Sequence, residues 1–376
     1  MKILITGGAG FIGSRLAQAL AADGAEVTVL DNLSPQVHGA EAEFPSTLRK
    51  VANCIKGDVG DAELIGKLLD EQQVVVHFAA ETGTGQSMYA VDHYARVNVQ
   101  GTAVLLDRLV NHRPTNLRKL IVASSRAVYG EGEYQCASHG RVYPAARTVD
   151  HIAAGRFDCL CPECGGTVEP VATTERARLQ PSSFYGLTKQ VQEQMVLMFA
   201  SSLGIDAFAL RFQNVYGPGQ SLTNPYTGIL AIFSNLVRQG LPLNIFEDGL
   251  ESRDFVYIDD IITATTQCID PNVHGVEALN VGSGSRTAVI DVARSIATYF
   301  EAQVPINVTG TFRVGDIRHN FADISRIASL TGFVPRWSFD EGLKQFLGWA
   351  ETHRAAEAGY DRSLAELRTR GLLTTG

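Results

Sequence analysis

Lys2-Ile3-Leu4-Ile5-Thr6-Gly7-Gly8-Ala9-Gly10-Phe11-Ile12-Gly13 is the stretch that decides the fold. Residues 2–6 are a short apolar run that reads as a buried strand, and 11–22 carry Phe11, Ile12, Leu16, Ala19 and Leu20 at helical spacing. Between them Gly8, Gly10 and Gly13 satisfy G-x-G-x-x-G, while Gly7, Gly10 and Gly13 give the offset G-x-x-G-x-x-G. Glycines permit the tight turn and let the backbone approach a pyrophosphate seated on the helix N-terminus. A glycine cluster alone is weak. Here it follows a strand, opens a helix, and precedes a second strand, 26–30, that ends at Asp31. Gly7, Gly10, Phe11, Ile12 and Gly13 are therefore the candidate cofactor-binding residues of a dinucleotide site.

Asp31 lies 18 positions after Gly13, where a carboxylate can bond both ribose hydroxyls. A 2′-phosphate there meets a negative charge, and Asn32-Leu33-Ser34 brings no Arg or Lys to offset it. The expected cofactor is NAD rather than NADP. Asn32 and the pair Asp58-Val59 extend the candidate site; on spacing alone Asp58 reads as an adenine contact or as an ordinary turn acid.

Outward from this turn the chain alternates. Residues 61–71 read as a helix, 74–78 as a strand, 92–112 as a helix, 120–124 as a strand, 184–203 as a long helix and 207–210 as a strand. That rhythm predicts an α/β fold with a doubly wound parallel sheet, whose strands, covered on both faces, run nearly uninterrupted in apolar residues. From about 215 the pattern changes: Gly217-Pro218-Gly219, a Pro/Tyr/Asn loop, a helix at 228–239, and strands at 253–258 and 277–281. The expected organisation is a cofactor domain over 1–214, interrupted by a Cys-rich insert at about 131–180. A smaller substrate-binding lobe then spans 215–350, some of its segments returning to the first domain. The tail, 351–376, is charged and helix-prone, with Leu364, Leu367 and Leu372.

Composition sets the outer bounds. Of 376 residues, 45% are hydrophobic and 19% charged, which excludes a disordered chain. Lys and Arg number 32 against 40 Asp and Glu, a net charge of −8, so no general polyanion-binding face is expected and nucleic acid is not an expected partner. No apolar run approaches the roughly 20 residues that span a bilayer, so no membrane partner is expected either. Met1 leads straight into the first strand, leaving no room for a signal peptide, and the expected location is cytosolic.

Tyr185 and Lys189 are four apart, on one face of the helix that begins at 184. A nearby ammonium favours phenolate and lowers the tyrosine pKa, making Tyr185 a candidate base. The strand 120–123 ends in Ser124-Ser125, and carboxyl ends of such strands are where ligands bind. A hydroxyl there relays a proton between substrate and Tyr185, or merely caps a turn.

With these motifs in place the chain resembles the NAD-dependent nucleotide-sugar epimerase/dehydratase family of extended short-chain dehydrogenases/reductases, from residue 1 to about 350, broken by the insert. The segments that carry the resemblance are Thr6–Gly13, His77-Phe78-Ala79-Ala80, Asn98-Val99-Gln100-Gly101-Thr102, Ser124–Gly130, Tyr185 with Lys189, Leu210–Pro218, Ser252–Asp260 and Arg313–Arg318. It implies a Rossmann-type fold, Ser125, Tyr185 and Lys189 as the catalytic residues, and Ala79, Ala80 and Asn98 beside the cofactor. It implies substrate contacts from Glu81, Arg126, Asn214, Arg253 and Arg313, the last two on a pyrophosphate through bidentate guanidinium pairing. The implied reaction removes a hydroxyl proton to Tyr185 while the attached carbon passes hydride to NAD. The keto-sugar then takes the hydride back on its other face. Family habit also implies a homodimer pairing through 92–112 and 184–203.

Arg126 and Ala127 occupy the positions where the family's 4,6-dehydratases carry Asp and Glu. A methyl group cannot take a C5 proton and a guanidinium is permanently protonated, so C4 epimerisation is expected over dehydration or decarboxylation. The insert departs from the family. Cys136-x2-His139 and Cys161-x2-Cys164, 21 residues apart, form two paired knuckles of the kind that hold tetrahedral zinc, with Cys159 as a spare; reduced thiols or a redox pair are the alternatives. His139-Gly140 and Cys161-Pro162-Glu163-Cys164-Gly165 are similar to an insert in bacterial epimerases of dTDP-linked deoxysugars. That likeness implies interconversion of dTDP-L-rhamnose and dTDP-6-deoxy-L-talose, with UDP-hexoses as the alternative substrates. A second class of function, a catalytically silent NAD-binding regulator with a zinc knuckle, is disfavoured by the retention of Ser125, Tyr185 and Lys189.

Overall fold

The computed structural model describes residues 1–39, 42–112, 114–222, 224, 228–353 and 360–374. A seven-stranded sheet forms its centre. The strands Lys2–Thr6 (β1), Glu26–Asp31 (β2), Asn53–Lys56 (β3), Val74–His77 (β4) and Lys119–Ser125 (β5) lie in the order β3-β2-β1-β4-β5, followed by Asp206–Phe212 and Val276–Val281. Every pairing is parallel, with Ile3 opposite Val27 on one side and Val74 on the other. The order reverses at β1, so β1 and β4 diverge at their carboxyl ends and open a crevice there. Ile3, Leu4, Ile5, Val75, Val76, Ile121 and Val122 are fully buried, as strands covered on both faces require.

Helix Phe11–Ala22 (α1) turns Leu16, Ala17 and Leu20 onto one face of the sheet. Ile65, Leu69, Leu105, Leu106 and Leu109 fill the other face. The expected helix over 92–112 is there, running on from Val91–Tyr94 to Gly101–His112 through a wide π-helical segment, Ala95–Gln100, with helical backbone at both junctions. The wide turn accommodates Asn98, whose side chain is fully buried and bonded across the crevice rather than along the helix. The catalytic helix Phe184–Leu203 runs as expected, capped by Ser183, whose hydroxyl accepts from the Gly186 amide (3.1 Å), and ended by Gly204 in the left-handed region.

The expected strand over 253–258 is also two pieces, Ser252–Arg253 and Phe255–Tyr257. Asp254 breaks it because its buried carboxylate accepts from the amides of Ser283, Gly284 and Ala322. A second apolar core gathers Leu230, Phe233, Leu243, Ile245, Phe255, Ile296, Phe346 and Leu347. The insert is not plain loop: Tyr134–Cys136, Gly140–Val142 and Glu169–Pro170 form a three-stranded antiparallel sheet. The Pro/Tyr/Asn loop falls partly outside the described residues, as does the start of the tail. The rest of the tail folds as helix Tyr360–Thr369 and a strand Leu373–Thr374 paired with Phe312–Arg313. No described helix is long and apolar enough to cross a membrane.

Candidate active site

The glycine turn sits at the carboxyl end of β1. A Cβ on Gly7 would stand 2.6 Å from the Ala79 amide nitrogen, and one on Gly13 would collide with the Gly7 carbonyl. Helix α1 begins at Gly10 with no side-chain cap and no acid in its first turn. Its free N–H groups therefore face the crevice, which suits a pyrophosphate. Phe11 and Ile12 lean onto the second core and Ala79 onto the sheet face filled by Leu105 and Leu109.

Asp31 is where the spacing placed it, 8% exposed at the end of β2. Its Oδ2 accepts from the Ala9 amide (3.0 Å) and its Oδ1 from the Leu33 amide (2.9 Å), so it also braces the glycine turn. Each oxygen keeps a lone pair for a ribose hydroxyl. His38 stands 3.7 Å from it, a neighbour that spacing did not suggest. Asn32 and Asp58 come together through Asn32 Nδ2 and Asp58 Oδ2 (3.0 Å), while Val59 is buried against Gly101. These residues fit a dinucleotide.

Ser125 ends β5, and its Oγ accepts from the Ala127 amide (3.2 Å). Gly186 lets the catalytic helix close on this turn, since a Cβ there would stand 2.5 Å from the Ala127 carbonyl. The Tyr185 amide donates to Ser87 Oγ (2.9 Å), fixing the start of the helix to the loop after β4. Burial raises the Tyr185 pKa; a hydrogen bond with Ser125 and the Arg126 charge act in the opposite direction. Lys189, expected to lower it, is not among the groups acting on it in this structure. The Lys189 ammonium is turned to the Ala123 carbonyl (2.9 Å), and burial pushes it down to about 7.

A polar chain runs beneath these groups. Thr6 Oγ1 meets His77 Nδ1 (2.8 Å), His77 Nε2 meets Thr102 Oγ1 (2.9 Å), and Gln192 donates to Thr102 (2.8 Å). Burial keeps His77 neutral, its pKa pushed down to about 3. Asn98 donates to Thr188 Oγ1 (2.9 Å) and to the Glu81 carbonyl (3.1 Å), and accepts from the Glu81 amide (2.8 Å). Asn98 is thus a clamp between the loop after β4 and the catalytic helix, and the loop that holds Ala80 is set by it. Glu81 turns its carboxylate to His93 (3.2 Å).

A cavity of about 210 Å³ opens between the sheet and the smaller lobe, lined among others by Arg126, Asn214, Phe246, Glu251, Arg253 and Arg313. Arg126 Nε donates to Asn214 Oδ1 (2.7 Å), and burial with the nearby Arg253 charge pushes Arg126 down to about 9. Arg253 is anchored on the carbonyls of Ser252, Ile317 and Arg318. Arg313 lies over the Phe246 ring, 4.8 Å from its centre. Three guanidinium groups around one cavity favour an anionic ligand. Arg313 Nε, 3.9 Å from Asp316, and Glu251 Oε2 are buried without a hydrogen-bond partner. Glu251 was missed by sequence reasoning, as were the buried pairs of Arg147 with Glu131 (3.0 Å) and Glu247 (2.9 Å) and the pairs of the buried Arg318 with the more exposed Asp248 (2.6 Å) and Asp158 (2.8 Å). The Arg147–Glu247 and Arg318–Asp158 pairs bind the insert to the lobe that carries Arg313.

In the insert, Cys136, His139, Cys161 and Cys164 offer ligand atoms that all lie within 4.8 Å of one another. Cys136 Sγ and Cys161 Sγ are each 3.6 Å from His139 Nδ1, and Cys136 Sγ is 3.8 Å from Cys164 Sγ. Cys159, the spare, is not among them; it is buried against Tyr134 Oη (3.4 Å).

The sequence pattern of the "NAD dependent epimerase/dehydratase family" matches residues 3–148 and 158–282. A dTDP-L-rhamnose 4-epimerase of Burkholderia thailandensis is 41% identical over 93% of this chain and 94% of its own. A UDP-glucose 4-epimerase of Thermotoga maritima, solved with UDP-glucose, superposes with a TM-score of 0.75 at 27% identity over 94% of this chain and 99% of its own. A UDP-glucuronic acid 4-epimerase of Bacillus cereus, solved with UDP-glucuronic acid and NAD, gives 0.74 at 25% identity over 94% and 99%.

Proposed function

The chain belongs to the NAD-dependent epimerase/dehydratase family, and from that premise we propose that it is a nucleotide-sugar 4-epimerase, acting on dTDP-L-rhamnose to give dTDP-6-deoxy-L-talose. One observation carries the reaction type: the two residues that follow Ser125 at the end of β5 are Arg126 and Ala127, so neither position offers a carboxylate. Elimination of water or carbon dioxide needs a further acid or base at the sugar, and Arg126 is held by Asn214 while Ala127 offers only a methyl group. The 41% identity to a dTDP-L-rhamnose 4-epimerase supports the substrate. UDP-hexoses are the second reading, supported by the UDP-sugar enzymes of the same shape.

When bound, NAD supplies the hydride acceptor and donor. The turn Gly7–Gly13 and the start of α1 hold its pyrophosphate, and Asp31 its ribose. Tyr185 takes the C4 hydroxyl proton and returns it, with Ser125 relaying at the same oxygen. Arg126, Arg253 and Arg313 hold the diphosphate of the substrate while the keto-sugar turns. Phe246 offers its ring face to the base. Glu81 and Asn214 complete the substrate contacts.

Incubation with dTDP-L-rhamnose is expected to give a product of unchanged mass with C4 inverted, read by mass spectrometry and NMR. A product lighter by water or carbon dioxide overturns the epimerase reading. Inversion of UDP-hexoses alone keeps the reaction and rejects the substrate. For the cofactor, nucleotide released by denaturing the purified protein is expected to be NAD, because a 2′-phosphate would meet the Asp31 carboxylate; mainly the phosphorylated form overturns that assignment.

Two further features belong to the same reading. The Cys136, His139, Cys161 and Cys164 cluster binds one structural zinc, which would set sulfur–sulfur separations near 3.8 Å and sulfur–nitrogen separations near 3.5 Å, given bonds of about 2.3 and about 2.0–2.1 Å. The cluster's 3.8 and 3.6 Å support it. Exposed Leu187 and Met198 on the catalytic helix support a homodimer through that helix and 92–112.

A further inference from the structure

Glu247, Asp248 and Glu251 bring three carboxyl groups within 4.8 Å of one another just before the strand Ser252–Arg253. Two of them are matched. Glu247 accepts from the Arg147 guanidinium through both oxygens (2.9 Å each), and Asp248 accepts from Arg318 (2.6 and 2.8 Å). Glu251 makes no ion pair among the described residues. It is 8% exposed, and its Oε2 is buried with no hydrogen-bond partner.

The backbone fixes where this third carboxyl points. Ser252 pairs with Ala288 and Arg253 with Thr287, and the Val289 amide carries that ladder on to the Glu251 carbonyl (2.9 Å). Residues two apart on an extended chain project to the same side. Glu251 and Arg253 accordingly enter the substrate cavity together, beside Arg126 and Arg313. Arg253 commits three guanidinium N–H groups to the carbonyls of Ser252, Ile317 and Arg318 and keeps the others for a ligand. No ion pair joins it to Glu251. Burial pushes the Glu251 carboxyl up to about 7 against the Arg253 charge; Glu247 adds to the rise, and Arg318 opposes it.

Resting on the nucleotide-sugar reading, we propose that Glu251 is a binding residue for the substrate diphosphate, and that it binds as the neutral acid, its O–H donating to a phosphate oxygen beside Arg253. An ionised carboxylate in the same cavity would repel the diphosphate, and like charges sharing a site favour protonation of one of them. A protonated carboxyl carries one O–H donor, and a bond from it to an anionic oxygen is of the strong, charge-assisted kind. Binding then takes up one proton from solvent. The sign follows: the acid is present below its free pKa, so affinity is full there and falls as pH rises through it. The other charged or titratable groups around the cavity and this strand do not mimic the effect between about pH 6 and about pH 8. Arg126, Arg253, Arg313 and Arg318 stay charged, Asp248 and Asp316 are ionised carboxylates, and burial holds His319 neutral, its pKa pushed down to about 4.

The test is isothermal titration calorimetry of the full-length, NAD-bound protein with dTDP-L-rhamnose, a diphosphate diester with no proton of its own to exchange in this range. Buffers of different ionisation enthalpy read the protons taken up. Wild-type Kd is expected to weaken by about tenfold from about pH 6 to about pH 8, with close to one proton taken up at the upper end. In Glu251→Gln the amide N–H donates in place of the acid. That variant is expected to hold its Kd within about twofold across the range, to bind more tightly than wild type at about pH 8, and to lack the uptake. Lys189 and Tyr185 titrate alike in both proteins, so the difference belongs to Glu251. Equal uptake and equal pH slope in the two proteins overturn the proposal. So does a Gln variant that binds about tenfold more weakly than wild type at about pH 8, the result for a carboxylate that accepts from the substrate. A wild type with neither slope nor uptake overturns it without any variant. Where UDP-glucose alone binds, the same measurement is made with it. A protein that binds neither nucleotide sugar overturns the functional reading itself.

Discussion

Tyr185→Phe is expected to lower kcat by about 10²–10⁴ with the bound NAD and the melting temperature kept. The ring stays, with its edge-on packing against Tyr94 at 6.5 Å between centres, and only the hydroxyl is lost. That loss corresponds to about 2.7–5.4 kcal/mol of transition-state stabilisation. The phenol sits in an environment that opposes ionisation by burial and is relieved by Ser125 and the Arg126 charge. It gives up its proton readily only while donors and a positive charge are aimed at it, which is the condition of a base that works inside a closed cavity. Steady-state rates with dTDP-L-rhamnose check this. Near-normal turnover shows that another group carries the proton.

Cys161→Ser is expected to reduce zinc from one per chain to none and to lower the melting temperature by roughly 5 °C or more. Structural zinc contributes on the order of 10 kcal/mol in small metal-nucleated folds, and losing ~3 kcal/mol of it produces a shift of that size. The insert has little else at its centre: its small core is Tyr134, Cys136, Val142, Cys159, Cys161 and Val168. The Arg147–Glu247 and Arg318–Asp158 ion pairs keep its outer edge on the main body, so the change is expected to be partial unfolding of the insert rather than of the chain. Elemental analysis and a thermal melt check it. Absence of zinc in the wild type, with an unchanged melt for Cys161→Ser, overturns the metal assignment.

The features legible in the sequence are those set by neighbours along the chain. The run 2–13 encodes strand, turn and helix through apolar spacing and glycine, and six of the seven parallel strands follow from apolar runs in βαβ patterning, the half-buried edge strand Asn53–Lys56 being the one not read. The Tyr185 and Lys189 pair shares a helix face because it is four residues apart, and the Cys136/His139 and Cys161/Cys164 knuckles are set by turns of two residues. These are local rules, and a sequence displays them directly.

Tertiary structure alone decided which distant groups meet. Lys189 faces the Ala123 carbonyl because the catalytic helix packs on β5, and spacing on the helix says nothing of that strand. Asn98 sits in a wide π-helical turn of its helix and bonds Glu81 and Thr188, partners that helical spacing does not show. Arg318 reaches Asp158, 160 residues away in the chain, and Tyr89 reaches Glu366, 277 residues away. Glu251 and Leu367 read as ordinary acid and ordinary leucine until the lobe and the tail are laid over the cavity. The physical reason is common to all of them. Side-chain chemistry at a site depends on burial and on partners, and both are fixed by the order of strands and the docking of lobes rather than by periodicity along the chain.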